Sequence, residues 1–258
     1  MKALVLCAGF GTRLGSLTRD WPKPMLPLRG HPLLAYLLAH LQSQGFRDIA
    51  VNLHFRPEII QDWFGDGSRW GLRLTYSHEE QLLGTAGAVR RLADFFRGES
   101  SFLVQYGDVL TDQDFNALIR THREKQALAT LLVHHRARSN SVVSLDPSGR
   151  VIGFLERPAE AERQQVASPW VNSGICIGST ELLEQLPDRA PCDLPRDVFA
   201  PLVGSGRLHA VPLTGRRCAI DSPERLAEAR ALVATPDWPV IPLVRDGVAL
   251  PPDLESHA

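Results

Sequence analysis

The chain has 258 residues, 44% of them hydrophobic and 22% charged, a composition ordinary for a soluble globular protein and a length able to bury a sizeable core. Its net charge of −1 lacks the basic excess that binding nucleic acid through phosphate neutralisation requires, so an anionic ligand must be met by a locally built site. No apolar run approaches the roughly 18 residues of a spanning helix, and Ala3–Ala8 is too short for a signal peptide. Cys7, Cys176, Cys192 and Cys218 form no CxxC pair and read as reduced, buried thiols of a cytoplasmic protein with no membrane partner.

Lys2–Cys7 reads as a buried strand, followed by a glycine-rich turn and a Pro-rich loop over Trp21–Pro27. Apolar spacing predicts a helix over His31–Gln44, capped by Gly45. A strand follows at Asp48–Leu53, a helix at Pro57–Phe64, a strand at Leu72–Tyr76 and a helix at Thr85–Phe96. Ser101–Tyr106 is a strand ending at Gly107-Asp108, then come a helix over Gln113–Lys125 and a strand over Ala129–His134. This alternation predicts a mixed, mostly parallel sheet with helices on both faces, a Rossmann-like three-layer α/β/α arrangement. Ligands of such sheets sit outside the carboxyl ends of the strands, where Gly9, Gly107 and Asp108 fall.

The second half changes character. Val142–Leu145, Val151–Leu155 and Trp170–Ile177 are strand-like, with a strong turn signal at Asp146–Gly149, and read as an antiparallel elaboration. Helices are expected at Thr180–Gln185, Asp193–Leu202 and Pro223–Val233, and strands at Leu208–Pro212 and around Cys218. Residues 1–235 are expected to form a single domain, with halves at 1–135 and 136–235. Residues 236–258 are expected to be a tail.

The segment Leu6–Leu28, LCAGFGTRLGSLTRDWPKPMLPL, contains no GxxxxGK[ST] run. It also fails GxGxxG, because Leu14 holds the third glycine position, and no acidic residue follows the next strand. A nicotinamide-dependent oxidoreductase is therefore disfavoured. Glycine allows close backbone approach to phosphate, Arg13 adds a forked donor, and Lys23, between Pro22 and Pro24, adds a point charge. On spacing alone the segment fits equally well as a phosphate cradle or as a strand-to-helix turn bearing two surface cations.

GFGTRLGSLTRDWPKPMLPL resembles the signature of the sugar-phosphate nucleotidylyltransferases, GxGTRLxPLTxxxPKPMLP, with Ser16 in place of the usual proline. Leu83–Ala88 is similar to that family's LGTAGA loop, which lies against the base. Phe154–Pro158 is similar to its EKP motif with Arg157 in place of lysine, Val171–Ile175 to NxGIY, and Ala219–Glu224 to DIGTPE without the glycine. The resemblance implies nucleotide contacts from Leu6, Ala8, Gly9, Gly11, Thr12, Arg13, Glu79, Gly84 and Thr85. It implies sugar-phosphate contacts from Gly107, Glu156, Arg157 and Asn172, and Mg²⁺ held by Asp108 and Asp221. The helix start at Gly84-Thr85 is expected to turn its N–H groups to the site.

The implied reaction joins an NTP to a sugar 1-phosphate on a nucleotidyltransferase fold whose second half covers the sugar. Arg13, Lys23 and Asp108 would be catalytic. A carboxylate at Glu79 accepts both donors of a guanine edge, which favours GTP, whereas Glu79-Glu80 also fits a solvated acidic pair. A uridylyl- or cytidylyltransferase, and a non-catalytic nucleotide-sugar-binding regulatory subunit, are the alternatives. A monomer or homodimer is expected.

Overall fold

The computed structural model describes residues 1–136, 139–166 and 168–239, so all but the first four residues of the expected tail at 236–258 lie outside the described residues. The chain begins with β1 (Lys2–Leu6), the short strands β2 (Pro27–Leu28) and β3 (His31–Pro32), α1 (Leu33–Ser43), β4 (Asp48–Leu53), α2 (Pro57–Phe64) and β5 (Arg73–His78). It continues with α3 (Gly84–Arg91), α4 (Ala93–Phe96), β6 (Ser101–Tyr106), β7 (Val109–Thr111), α5 (Asn116–Glu124) and β8 (Ala129–His135). Then come β9 (Ser141–Leu145), β10 (Val151–Glu156), α6 (Glu160–Gln164), β11 (Trp170–Ser179), α7 (Ala200–Leu202), β12 (Leu208–Pro212), β13 (Arg217–Ala219) and α8 (Pro223–Val233). This is the expected α/β fold, a mixed central sheet with flanking helices. No helix among the described residues is long and apolar enough to cross a membrane.

Contacts divide the chain into two compact units, each assembled from separated stretches. The first comprises Met1–Leu4, Leu82–Gln105 and Asp114–Thr214. Its strand order is β10-β9-β11-β6-β1, with β8 bridging β11 and β12. β11 runs antiparallel to β6, β8 and β9, and β10 antiparallel to β9, which is the expected antiparallel elaboration. β12 is parallel to β8. The second unit comprises Val5–Gln81, Tyr106–Gln113 and the chain from Gly215. In it β4 and β5 pair in parallel, and β7 and β13 form a separate antiparallel pair.

Local chemistry explains the boundaries. α1 is apolar nearly all round and is buried on almost every face, as a core helix must be. Its end is a Schellman turn. Gly45 adopts φ 87°, its N–H bonds to Gln42, and the N–H of buried Phe46 reaches Leu41. α8 starts as expected, with the Ser222 hydroxyl accepting from the N–H of Arg225 and Pro223 in the first turn. β4 and β6 are buried along nearly their whole length, the pattern of strands covered on both faces.

Two expected helices differ. The predicted Thr85–Phe96 helix is split at Leu92, whose N–H is shared between Ala88 and Val89. The predicted Asp193–Leu202 helix is a π-helical turn over Leu194–Phe199 followed by the short α7. Pro195 lies in the first turn, where its missing N–H needs no partner, whereas Pro201 removes the donor that would bond back to Asp197, so a regular α ladder cannot run on through it. β7 and β13, at three residues each, are too short to show a period in sequence.

Candidate active site

The glycine turn leaves β1 within the second unit. Gly9, Phe10, Thr12 and Arg13 are exposed. From Ala8 to Arg13 no backbone N–H has an acceptor among the described residues. Gly11 sits at φ 68° with its carbonyl accepting from the Thr18 hydroxyl at 3.0 Å and from the N–H of Leu14 at 2.9 Å. A Cβ at Gly11 would press on Lys23 and Thr18. The turn is thus anchored by the Gly11 carbonyl, while its N–H groups have no acceptor among the described residues, an arrangement suited to an anion. Pro22 is extended and Pro24 begins a tight turn at Lys23–Met25, whose Pro24 and Met25 are buried. The base of the lysine is therefore held rigidly.

Lys23 Nζ donates to Asp108 Oδ2 at 2.7 Å, with the two side chains 12% and 26% exposed. Arg13, largely exposed, lies 3.5 Å from Asp221 Oδ2. Two short strands bring the carboxylates together. Ala219 stands opposite Val109, and the N–H of Ile220 bonds to the carbonyl of Asp108 at 2.9 Å. Asp221 is thereby delivered across the pair from Gly107-Asp108. Gly107 is required by proximity. Its N–H bonds to the Leu6 carbonyl at 2.8 Å, and a Cβ there would lie 2.5 Å from that oxygen and 2.6 Å from Cys7 Sγ. Asp108 is thus fixed beside the root of the glycine turn.

Asp108 and Asp221 present hard oxygen donors of the type Mg²⁺ takes. No group of three or more His, Cys, Asp or Glu among the described residues could hold a metal. Two carboxylates nevertheless fit Mg²⁺, an ion that commonly takes only one or two carboxylates from a protein and the rest of its oxygen ligands from elsewhere.

Glu79 follows β5. It is 1% exposed, so it is not part of a solvated pair, whereas Glu80 is exposed. The Asn52 amide donates to Glu79 Oε1 at 2.8 Å, and the Glu79 N–H bonds to the Leu53 carbonyl. His54 Nδ1 lies 2.7 Å from the Glu79 carbonyl, which requires the proton on that nitrogen. Sequence reasoning did not single out Asn52. Its signal was a polar residue inside the apolar run of β4.

The other predicted residues lie in the first unit. Gly84 and Thr85 begin α3, and here the structure corrects the expectation. The Thr85 N–H and hydroxyl both point to Asp193 Oδ1, at 3.1 and 3.3 Å, and the N–H groups of Ala86 and Gly87 go to the Cys192 carbonyl. The Thr85 hydroxyl accepts in turn from the N–H of Leu194 at 2.8 Å. These donors are taken by a distant segment rather than turned to a ligand. Gly84, at φ 75°, leaves no room for a Cβ against the Cys192 backbone. Nothing in the local sequence announces Asp193 as the partner of this helix start.

Glu156 ends β10 opposite Ser141, and the Ser141 hydroxyl accepts from the N–H of Asn172 at 2.9 Å. Ser141 therefore brings Glu156 and Asn172 together. A bulge follows Asn172 on β11, with Gly174 at φ 79° and its N–H donating to Asn172 Oδ1. Burial pushes the Glu156 carboxyl up to about 6. Arg157 opposes that shift, Asp193 adds to it and Arg196 opposes it. Arg157 is exposed, 3.8 Å from Glu156, and held at φ 51° by its N–H bond to the Asn140 carbonyl. All four cysteines are free and buried.

The model of the family described as Nucleotidyl transferase matches residues 2–209. The chain is 36% identical over 220 residues to a UTP–glucose-1-phosphate uridylyltransferase of Synechocystis sp., covering 80% of this chain and 56% of that protein. It is 33% identical over 208 residues to a mannose-1-phosphate guanylyltransferase of Mycobacterium tuberculosis, with the same coverages. The chain thus spans little more than half the length of these curated relatives. Among solved structures, HddC from Yersinia pseudotuberculosis complexed with GMP-PN superposes with a TM-score of 0.74 at 22% identity, over 90% of this chain and 98% of the other. A UDP-glucose pyrophosphorylase complexed with UDP-glucose gives a TM-score of 0.76 at 20% identity, over 90% and 97%. These structures share the fold.

Proposed function

The chain belongs to the nucleotidyl transferase family, and on that premise we propose that it transfers NMP from an NTP, with GTP favoured, to a sugar 1-phosphate. A phosphate oxygen of the sugar 1-phosphate forms a bond to the α-phosphorus, the bond from that phosphorus to the bridging oxygen breaks, and pyrophosphate leaves. The attacking phosphate is a dianion near neutral pH, with a second pKa of about 6, and needs no general base. Catalysis is then positioning and charge stabilisation.

The observation that carries this reading is the largely exposed glycine turn, in which no N–H from Ala8 to Arg13 has an acceptor among the described residues, flanked by Arg13 and Lys23. The open N–H groups receive the phosphates, Arg13 stabilises the leaving pyrophosphate and Lys23 the α-phosphate. Mg²⁺, when bound by Asp108 and Asp221, would supply charge neutralisation at the phosphates. Glu156, Arg157 and Asn172 are assigned to the sugar phosphate, the first and last as hydroxyl partners. The preference for GTP rests on the identity of Glu79, just past the end of β5, because a carboxylate suits the N1–H and 2-amino donors of guanine. The 36% identity to a uridylyltransferase supports UTP as the second reading.

A matrix of four NTPs against several sugar 1-phosphates, with Mg²⁺ and pyrophosphate release as readout, tests both. Turnover with GTP above the other three is expected. Turnover with UTP above GTP selects the second reading. No release with any pair, with nucleotide-sugar binding seen by calorimetry, would make the protein a regulatory subunit instead.

A further inference from the structure

We propose that Asn52 is a positioning residue for base recognition, its amide tying the Glu79 carboxylate to the first N–H of the glycine turn. The inference rests on the reading of Glu79 as the base acceptor. Asn52 is the polar residue in an otherwise apolar buried stretch of β4 and is 4% exposed. Its Oδ1 accepts from the Cys7 N–H at 2.8 Å, and its Nδ2 donates to Glu79 Oε1 at 2.8 Å. The orientation of the amide is dictated by the Cys7 N–H, which can only donate and so takes Oδ1, leaving the NH2 to face Glu79. Cys7 follows the last residue of β1 and precedes Ala8, where the run of open N–H groups begins.

One side chain therefore spans the ends of three strands, holding the start of the phosphate turn and the carboxylate past β5 in a single register. A purely apolar residue would fill the same space but leave a buried N–H and a buried carboxylate oxygen each without this partner. Neither can be abandoned without movement. The expected displacement falls on Glu79, which sits at a strand end, rather than on the paired strand interior.

The test compares Asn52→Leu, Asn52→Ser and Glu79→Gln with the parent across all four NTPs, with thermal unfolding in parallel. Asn52→Leu should raise KM for the preferred NTP by about tenfold or more, the equivalent of one hydrogen bond to a charged group. It should leave kcat within about threefold and compress the selectivity among bases towards that of Glu79→Gln. Asn52→Ser, which keeps a donor and an acceptor, should fall between. If Glu79→Gln changes base preference while both Asn52 variants only unfold earlier with unaltered KM values, the inference is overturned and the base reading stands. If Glu79→Gln leaves base preference unaltered, the base reading fails and the role of Asn52 falls with it. Should Asn52→Leu not fold, Asn52→Ser decides by the same KM criterion.

Discussion

At the residue scale, the free protein holds its cations against its own carboxylates. Lys23 and Asp108 form a close, partly buried pair, and a charge-assisted bond of this kind is stronger than a neutral one. The same two groups are assigned opposite partners during turnover, phosphate for the lysine and metal for the carboxylate. Lys23→Ala and Asp108→Asn are each expected to lower turnover by about 10²-fold or more, the range for loss of a preorganised charge-stabilising group, with circular dichroism unchanged. Near-normal pyrophosphate release from either variant would refute the assignment. Glu156 offers a pH signature. Its folded value of about 6 lies above the ordinary 4.5, so folding favours the neutral carboxyl. Its contribution to stability is therefore greatest below pH 4.5, declines as pH rises through about 6, and is level above that. Measured against Glu156→Gln, the parent should lose relative stability between those values and show no further drift at higher pH. The sugar-phosphate KM of the parent should also rise more steeply than that of the variant as pH falls below 6, because the hydroxyl acceptor is then protonated.

At the scale of elements, two glycines with positive φ illustrate different constraints. Gly45 closes α1 in open space, so alanine there meets only left-handed backbone strain, about 1 kcal/mol. Gly84 combines positive φ with direct contact against the Cys192 backbone, so alanine must push the 192–194 segment off the start of α3. That frees the N–H groups of Thr85, Ala86 and Gly87. Thermal unfolding should fall by roughly 2–4 °C for Gly45→Ala, following the size scaling of about 2–4 °C per kcal/mol, and by clearly more for Gly84→Ala. Equal shifts would mean that the Cys192 contact adjusts freely. The LGTAGA loop shows why an element can be found by its sequence and still be misjudged. A helix start is legible at Gly84-Thr85, but the acceptor for its donors lies more than a hundred residues away at Asp193, an extended residue just before a π-helical turn.

At the scale of the whole molecule, ligand binding should couple to stability through mass action. An NTP with Mg²⁺ at a hundredfold excess over its Kd stabilises by about 2.7 kcal/mol, a rise of roughly 5–10 °C for a chain of this size. In Asp108→Asn the part of that rise that depends on Mg²⁺ should vanish, while the part from the nucleotide alone persists through the glycine turn. An unaltered Mg²⁺ dependence in the variant would remove Asp108 from the metal site. Differential scanning fluorimetry with and without EDTA reads both.

Strands and helices with a strong apolar pattern, such as β4, α2, β6 and β12, are readable in the sequence because burial on one or both faces imprints a pattern over several residues, and α8 is readable from its Ser222-Pro223 start. The glycine turn and the cations Arg13 and Lys23 are readable too, since these lie in one short segment whose chemistry is local. Which distant residues meet is visible only in the folded chain. The three-residue strands β7 and β13 bring Asp221 to Asp108, Ser141 joins Glu156 to Asn172, and Asn52 joins Glu79 to Cys7. Each of these meetings depends on strand register and on buried hydrogen bonds between residues far apart in the chain. Such pairings leave no periodic trace in a single sequence, because the partner of a buried polar group is selected by the fold and not by its neighbours along the chain.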